Sequence, residues 1–404
     1  PAAADRLLVP MDRSQSDHLK AYGLAFWSLE RGAPVEWLLN YRGGSFSLEA
    51  HDLLAQEARI RGVAFEVVSD ARMAQVYAEI DAGNMDVVRL EKAPRIAVYS
   101  PPNSQPWDDA VTLALEYAQI GYDKVWDPEV LDGKLADYDW LHLHHEDFTG
   151  QYGKFYASYG REPWYQEQQR LYEATARRLG FTKVADEKKA VARRIYEYVA
   201  GGGFLFAMCS ATDTFDIALA AGDVDIVPTP FDGDPVDPTA TARLDFSRTV
   251  AFHDFALVLD PLVYEHSDID TTPQDVSQIR TPEAEYFTLF EFSAKYDPVP
   301  AMLTQCHTNI VNGFLGQTTG FHRRLIKDAV IILAEVEGSD EVKYIHGNVG
   351  RGTFTFYGGH DPEDHKHHVG DPPTQLALFP NSPGYRLILN NVLFPAARKK
   401  ERKT

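Results

Sequence analysis

The chain has 404 residues, with 39 basic side chains against 59 acidic ones and a formal net charge of −20. At 44% hydrophobic and 24% charged residues it has the composition of a globular protein and not of a disordered one. Its acidity argues against nucleic acid and against an anionic membrane surface, because both need a basic face. No apolar run approaches the ~18–20 residues of a membrane span. Two cysteines, Cys209 and Cys306, exclude a disulfide framework and any cysteine-based zinc module. What remains is a small-molecule substrate or ligand, with a homo-oligomer left open.

The first apolar run, Leu7-Leu8-Val9, directly follows Pro1-Ala2-Ala3-Ala4. Such a start fits a cleaved export signal, so the expected location is periplasmic or secreted, with the cytoplasm as the alternative. Residues 1–93 form an N-terminal α/β unit. Its predicted elements are a strand at Arg6–Pro10, a buried helix at His18–Arg31, a strand at Val35–Leu39 and a glycine loop at Tyr41–Ser45. A helix to Arg61, a strand at Val63–Val68 and a helix from Asp70 to about Asp81 complete it. Strand–helix alternation predicts parallel pairing.

A second series begins at Arg95. Strands are expected at Ile96–Tyr99, Tyr122–Trp126 and Tyr138–His142, helices at Trp107–Ile120, Pro163–Leu179 and Glu187–Ala200, then the unbroken apolar run Phe204–Cys209. Residues 228–328, punctuated by Pro, Asp and Thr, read as an insertion lying over the sheet. The α/β pattern returns over residues 329–404, in Ala329–Val336, Val342–His346 and Thr353–Tyr357. The expected fold is therefore α/β: a doubly wound, mostly parallel, flavodoxin-like sheet built from residues 94–227 and 329–404. The basic tail Arg398–Lys403 reads as a solvated end.

Three segments follow apolar strands, and the carboxyl edge of such a sheet is where ligands bind. Ala207-Met208-Cys209-Ser210-Ala211 is a strand-to-helix elbow with small residues on both sides of the cysteine, as a crowded nucleophile turn requires. A helix amino terminus there favours thiolate; a buried core cysteine is the alternative. Gly358-Gly359-His360-Asp361-Pro362-Glu363 supplies a histidine after two glycines and a carboxylate three residues on. Four of the fourteen histidines fall between His360 and His368. His142-Leu143-His144-His145-Glu146-Asp147 is the third segment. In a strand His142 and His144 point to one face and His145 to the other. These residues offer either a metal site or a substrate pocket. The aromatics Tyr152, Phe155, Tyr156, Tyr159, Trp164 and Tyr165 read as a core-and-lid cluster in preference to a sugar platform.

The order of a cysteine elbow and a late strand ending in His and Glu resembles the class I glutamine amidotransferase-like superfamily. That resemblance implies Cys209 as nucleophile, His360 as base and Glu363 as the acid orienting it; His144, His145, Glu146, Ser210 and Asp361 are expected about the substrate. This chain has Ala at both elbow positions where the family has Gly. The stretch Gly350–Asp361 resembles the ThuA-like branch, which has the Gly-His-Asp but no obligatory cysteine. Nearly the whole chain, notably His18–Gly23, Trp140–Thr149 and Gly201–Ala211, resembles uncharacterised bacterial proteins labelled asparagine synthetase B. The chain lacks both a Ser-Gly-Gly-x-Asp-Ser loop and a Walker A sequence, so ATP use is not implied. The expected function is hydrolysis of an amide or related acyl group of a small molecule. One alternative is a metal-dependent hydrolase using His144, His145, Glu146 and His360; another is a non-catalytic binding protein of the same fold. No organic cofactor is implied, and a divalent metal is the one candidate.

Overall fold

The computed structural model describes residues 5–103, 105–271, 280–303, 308–366 and 368–397. Pro1–Ala4, Thr272, Pro273, Cys306, His367 and the Arg398–Lys403 tail lie outside them. Five strands near the amino terminus make one sheet: β1 (Arg6–Val9), β2 (Val35–Leu39), β3 (Ser45–Glu49), β4 (Glu66–Val68) and β5 (Asp86–Leu90), in the order β4-β1-β3-β2-β5. Every pairing in it is antiparallel. The predicted glycine loop is the reason. Asn40, Arg42, Gly43 and Gly44 all have positive φ and turn β2 straight back onto β3. Parallel pairing would need a crossover of a dozen or more residues, for which there is no room.

The second sheet has ten strands: β6 (Ile96–Tyr99), β7 (Asp123–Val125), β8 (Trp140–Leu143), β9 (Phe204–Met208), β10 (Tyr286–Leu289), β11 (Ile310–Asn312), β12 (Phe321–His322), β13 (Ile331–Glu335), β14 (Glu341–Val349) and β15 (Gly352–Tyr357). Their order is β11-β10-β13-β14-β15-β9-β8-β6-β7, with β12 on β14. The run β7-β6-β8-β9-β15 is parallel. All other pairings are antiparallel. The doubly wound, mostly parallel flavodoxin-like sheet is thus corrected: the fold is two sheets, one antiparallel and one mixed. Tight turns carry the difference, with Gly338 (φ 74°) between β13 and β14 and Gly350 (φ 57°) between β14 and β15, so no helix crosses over. The insertion is corrected too, because β10, β11 and β12 pair into the large sheet.

Alternation along the parallel strands sets the layers. Val98, Trp140, Phe206 and Met208 face one core, which also holds Leu7, Trp37 and Phe46 of the small sheet. Ala97, Tyr99, Leu141, Leu143 and Leu205 face the other. Between the two sheets lie the helices His18–Glu30, Ala110–Ala118 and Pro383–Leu393. The first is buried almost all round, and Gly23 brings it so near Ala118 that a Cβ would lie 1.8 Å from that carbonyl oxygen. Helices Val184–Ala200 and Ala211–Ala221 cover the far face of the large sheet. Among the described residues no helix is long and apolar enough to cross a membrane.

One ion pair is sealed inside that far layer. Lys188 Nζ lies 2.9 Å from Asp127 Oδ2, both side chains essentially inaccessible, and also donates to the Tyr99 hydroxyl at 2.9 Å. Removing one partner of such a pair strands the other charge, which costs about 3–5 kcal/mol. Lys188→Met should therefore lower stability by about that amount in urea unfolding, and the double change Lys188→Met/Asp127→Asn should recover much of it. A single-mutant loss below about 1 kcal/mol would contradict the assignment.

Candidate functional site

The registers Leu143↔Ala207 and Met208↔Tyr357 end β8, β9 and β15 at one level. His144, Cys209 and His360 consequently leave the sheet side by side. β8 stops at Leu143, so strand alternation no longer applies beyond it. The rings of His144 and His145 stack instead, 3.9 Å apart at 12°. His360 enters from the other side, its ring 4.3 Å from that of His145 and 4.9 Å from that of His144. Gly359 makes this approach feasible. Its φ is 104°, and a Cβ there would sit 2.3 Å from the Phe314 ring.

One ligand nitrogen from each of His144, His145 and His360 lies within 4.8 Å of the others, and Asp109, His142 and His144 form a second group of the same tightness. These groups could hold a metal. Tetrahedral zinc with bonds of about 2.0–2.1 Å spaces its nitrogens roughly 3.3 Å apart, which falls inside that bound. Glu146, predicted as a fourth ligand, is outside both groups. Its carboxyl pairs with the Tyr172 hydroxyl at 3.5 Å, and burial pushes it up to about 7 against the pull of Lys188.

Asp109 organises the histidines. It caps the helix Ala110–Ala118, accepting from the Val111 and Thr112 amides at 2.8 and 3.0 Å. It also faces His142 Nε2 at 3.3 Å and His144 Nδ1 at 3.2 Å. Burial alone would raise the Asp109 carboxyl, but the two imidazoles outweigh burial and hold it well below the usual range. The other nitrogen of His142 donates to the Phe206 carbonyl at 3.1 Å. His145 Nε2 meets the Asp108 carbonyl at 2.8 Å. A carbonyl only accepts, so Nε2 carries the proton and Nδ1 keeps the lone pair. Burial, then the nearby His144, hold the His145 ring far below its ordinary pKa and keep it neutral, the state a ligand needs. Sequence reading missed Asp109, Asp108 and Trp107, whose ring lies 5.5 Å from that of His145. The available signal was the helix start: an Asp N-cap puts the first turn at 110, not at 107.

Cys209 adopts φ 52°, a left-handed conformation that strains a residue bearing a Cβ, directly after β9. The side chain is 2% exposed, and its sulfur accepts from the Gln317 amide at 3.3 Å. The segment Leu315–Thr318 is bonded to both elbows. Its carbonyls at Leu315 and Thr318 accept from the His360 and Gly359 amides. Burial pushes the thiol up to about 11, in spite of backbone amides of Gln317, Thr318 and Ser210 directed at it. Ser210 is fully buried, with no described partner for its hydroxyl. Asp361 is a structural acceptor, taking the Tyr385 hydroxyl at 2.8 Å and the Glu363 amide at 2.9 Å. Glu363 faces Ser382 and Asp361, and burial raises its carboxyl. Gln317 borders Cys209, His144 and His145 border His360, and Ser382 and Asp361 border Glu363.

No protein-family model and no curated protein matches the chain. Among solved structures it is similar to cytoplasmic protein STM3548 from Salmonella typhimurium at 12% identity and a TM-score of 0.36, covering 76% of this chain and all of that one. Cytoplasmic protein STM1381 from Salmonella typhimurium LT2 follows at 14% identity and a TM-score of 0.31, covering 75% and 99%. A beta-galactosidase from Bacillus circulans sp. alkalophilus shares 10% identity over 67% of this chain and 29% of its own, with a TM-score of 0.26. Likeness this slight assigns neither fold nor activity.

The state of Cys209 is directly measurable. A thiol near 11 holds roughly 300-fold less thiolate at pH 7 than a free cysteine near 8.5. Native protein should therefore react with a maleimide at least 100-fold more slowly per Cys209 than the unfolded chain, as read by peptide mass spectrometry. Equal rates would contradict the buried, protonated assignment.

Proposed function

We propose that His144, His145 and His360 bind one divalent transition-metal ion of the zinc class, and that the chain is a metal-dependent hydrolase acting on a small molecule. The convergence of three imidazoles on one point at the carboxyl edge carries this reading. Imidazole suits zinc and its neighbours, and three protein ligands leave a coordination position for water or substrate, as catalytic zinc sites do. A metal so held lowers the pKa of bound water and polarises an acyl oxygen. The residues around it have defined tasks. Asp109, 3.2 Å from His144 Nδ1, would accept that nitrogen's proton and leave Nε2 as the ligand atom. The Asp108 carbonyl does the same for His145 with the nitrogens exchanged.

A second reading has its own observation. The left-handed Cys209 between β9 and the helix Ala211–Ala221 is the conformation a nucleophile elbow uses. There Cys209 would be the attacking group and His360 its base. Exchange of Cys209 for Ala separates the two readings, abolishing turnover under this one and sparing it under the metal reading.

Calorimetric titration of chelator-treated protein with zinc should give one site per chain. His360→Ala should weaken it at least 100-fold, and Asp109→Asn by 10–100-fold, the usual cost of removing the group behind a ligand histidine. Affinity should fall on acidification, because protons then compete for the imidazole nitrogens, with burial delaying that competition at His145. Wild-type affinity in the His144→Ala/His145→Ala/His360→Ala variant would contradict the proposal.

A further inference from the structure

Across the Trp107 ring from His145 lies a small cleft. The Trp107 ring that packs against His145 meets Trp164 edge-on at 5.6 Å. Trp164 in turn lines a cleft of about 130 Å³ together with Asn103, Gln105, Pro106, Glu167 and Gln168. That is room for several water-sized groups.

Two acceptors stand out in that lining, the carbonyl oxygen of Gln168 and the carboxylate of Glu167. Gln168 is only 7% exposed, and its Nε2 is committed to the Tyr172 hydroxyl at 3.2 Å. Its Oε1 is buried with no partner among the described residues. A dry acceptor is costly, so the position calls for a donor. Gln105 donates one amide hydrogen to Asn103 Oδ1 at 3.1 Å. Glu167 is exposed at the rim, and no described cation pairs with it. An indole wall, a carboxylate at the rim, a buried lone pair and a chain of net charge −20 together select a compact cation.

We infer that this cleft receives a protonated amino or guanidino group, the cationic end of a small substrate whose scissile bond reaches His144, His145 and His360. That the group belongs to a substrate rests on the metal-hydrolase reading; that the cleft binds it does not. The headgroup donates to Gln168 Oε1 and lies against the Trp164 ring, while Glu167 balances its charge.

The full chain, stripped of metal, should be titrated with methylguanidine, n-propylamine and neutral n-propanol, with binding followed by tryptophan fluorescence. Saturable binding of at least one of the two cations, at least tenfold tighter than n-propanol, is expected. Glu167→Gln and Gln168→Leu should each weaken the cation at least fivefold. Gln168→Glu, which keeps the acceptor and adds charge, should tighten it, and this guards against a simple folding defect in Gln168→Leu. Equal affinity for n-propylamine and n-propanol, absence of saturable binding of both cations, or variants that bind like wild type would overturn the proposal. Zinc titration of the same samples keeps the two questions apart, since zinc binding without cation binding defeats only the cleft, and the converse defeats only the metal site.

Discussion

Three parallel strands ending at one level are the constraint from which the rest of the site follows. Leu143 pairs with Ala207 and Met208 with Tyr357, so β8, β9 and β15 release the chain at a common edge. Parallel strands put all their carboxyl ends together, which antiparallel ones cannot do. The half of the large sheet beyond β15 is antiparallel and has no such edge. The histidines accordingly sit over the parallel half alone, although the sheet continues for five strands past it.

Charge then fixes what geometry delivers. Asp109 is at once a helix cap and the partner of two buried imidazoles, so the position of the helix Ala110–Ala118 and the orientation of His144 are one problem. His145 is kept neutral by burial. The same burial acts oppositely on Cys209, whose thiol it protonates. A single dry environment therefore favours a neutral imidazole as a metal ligand and disfavours a thiolate. That contrast is why the metal reading stands ahead of the cysteine one here.

Much of the site was legible in the sequence, and the fold less so. Phe204–Met208 is apolar without alternation, and a strand covered on both faces reads that way. His144, His145 and His360 each follow such a strand, so their meeting at one edge could be expected. Their convergence also depended on β8 ending one residue before His144, and a boundary of that kind is the least readable feature of a sequence. The parallel expectation failed at Asn40–Gly44, Gly338 and Gly350, where tight turns make hairpins in place of helical crossovers. The Glu363 assignment rested on spacing from His360. The bend that follows, held by the Asp361 bonds to Glu363 and Tyr385, turns Glu363 toward Ser382. Asp109 went unread because its role depends on β6 and β8 being neighbours, a long-range fact that no local pattern carries.

Anomalous diffraction at the zinc edge, from crystals of the chain grown with zinc, would locate the ion directly. One strong peak is expected about 2.0–2.1 Å from a nitrogen of each of His144, His145 and His360, with Asp109 behind His144. A peak elsewhere, or none at that point in crystals where zinc occupies other positions, would contradict the three-histidine site.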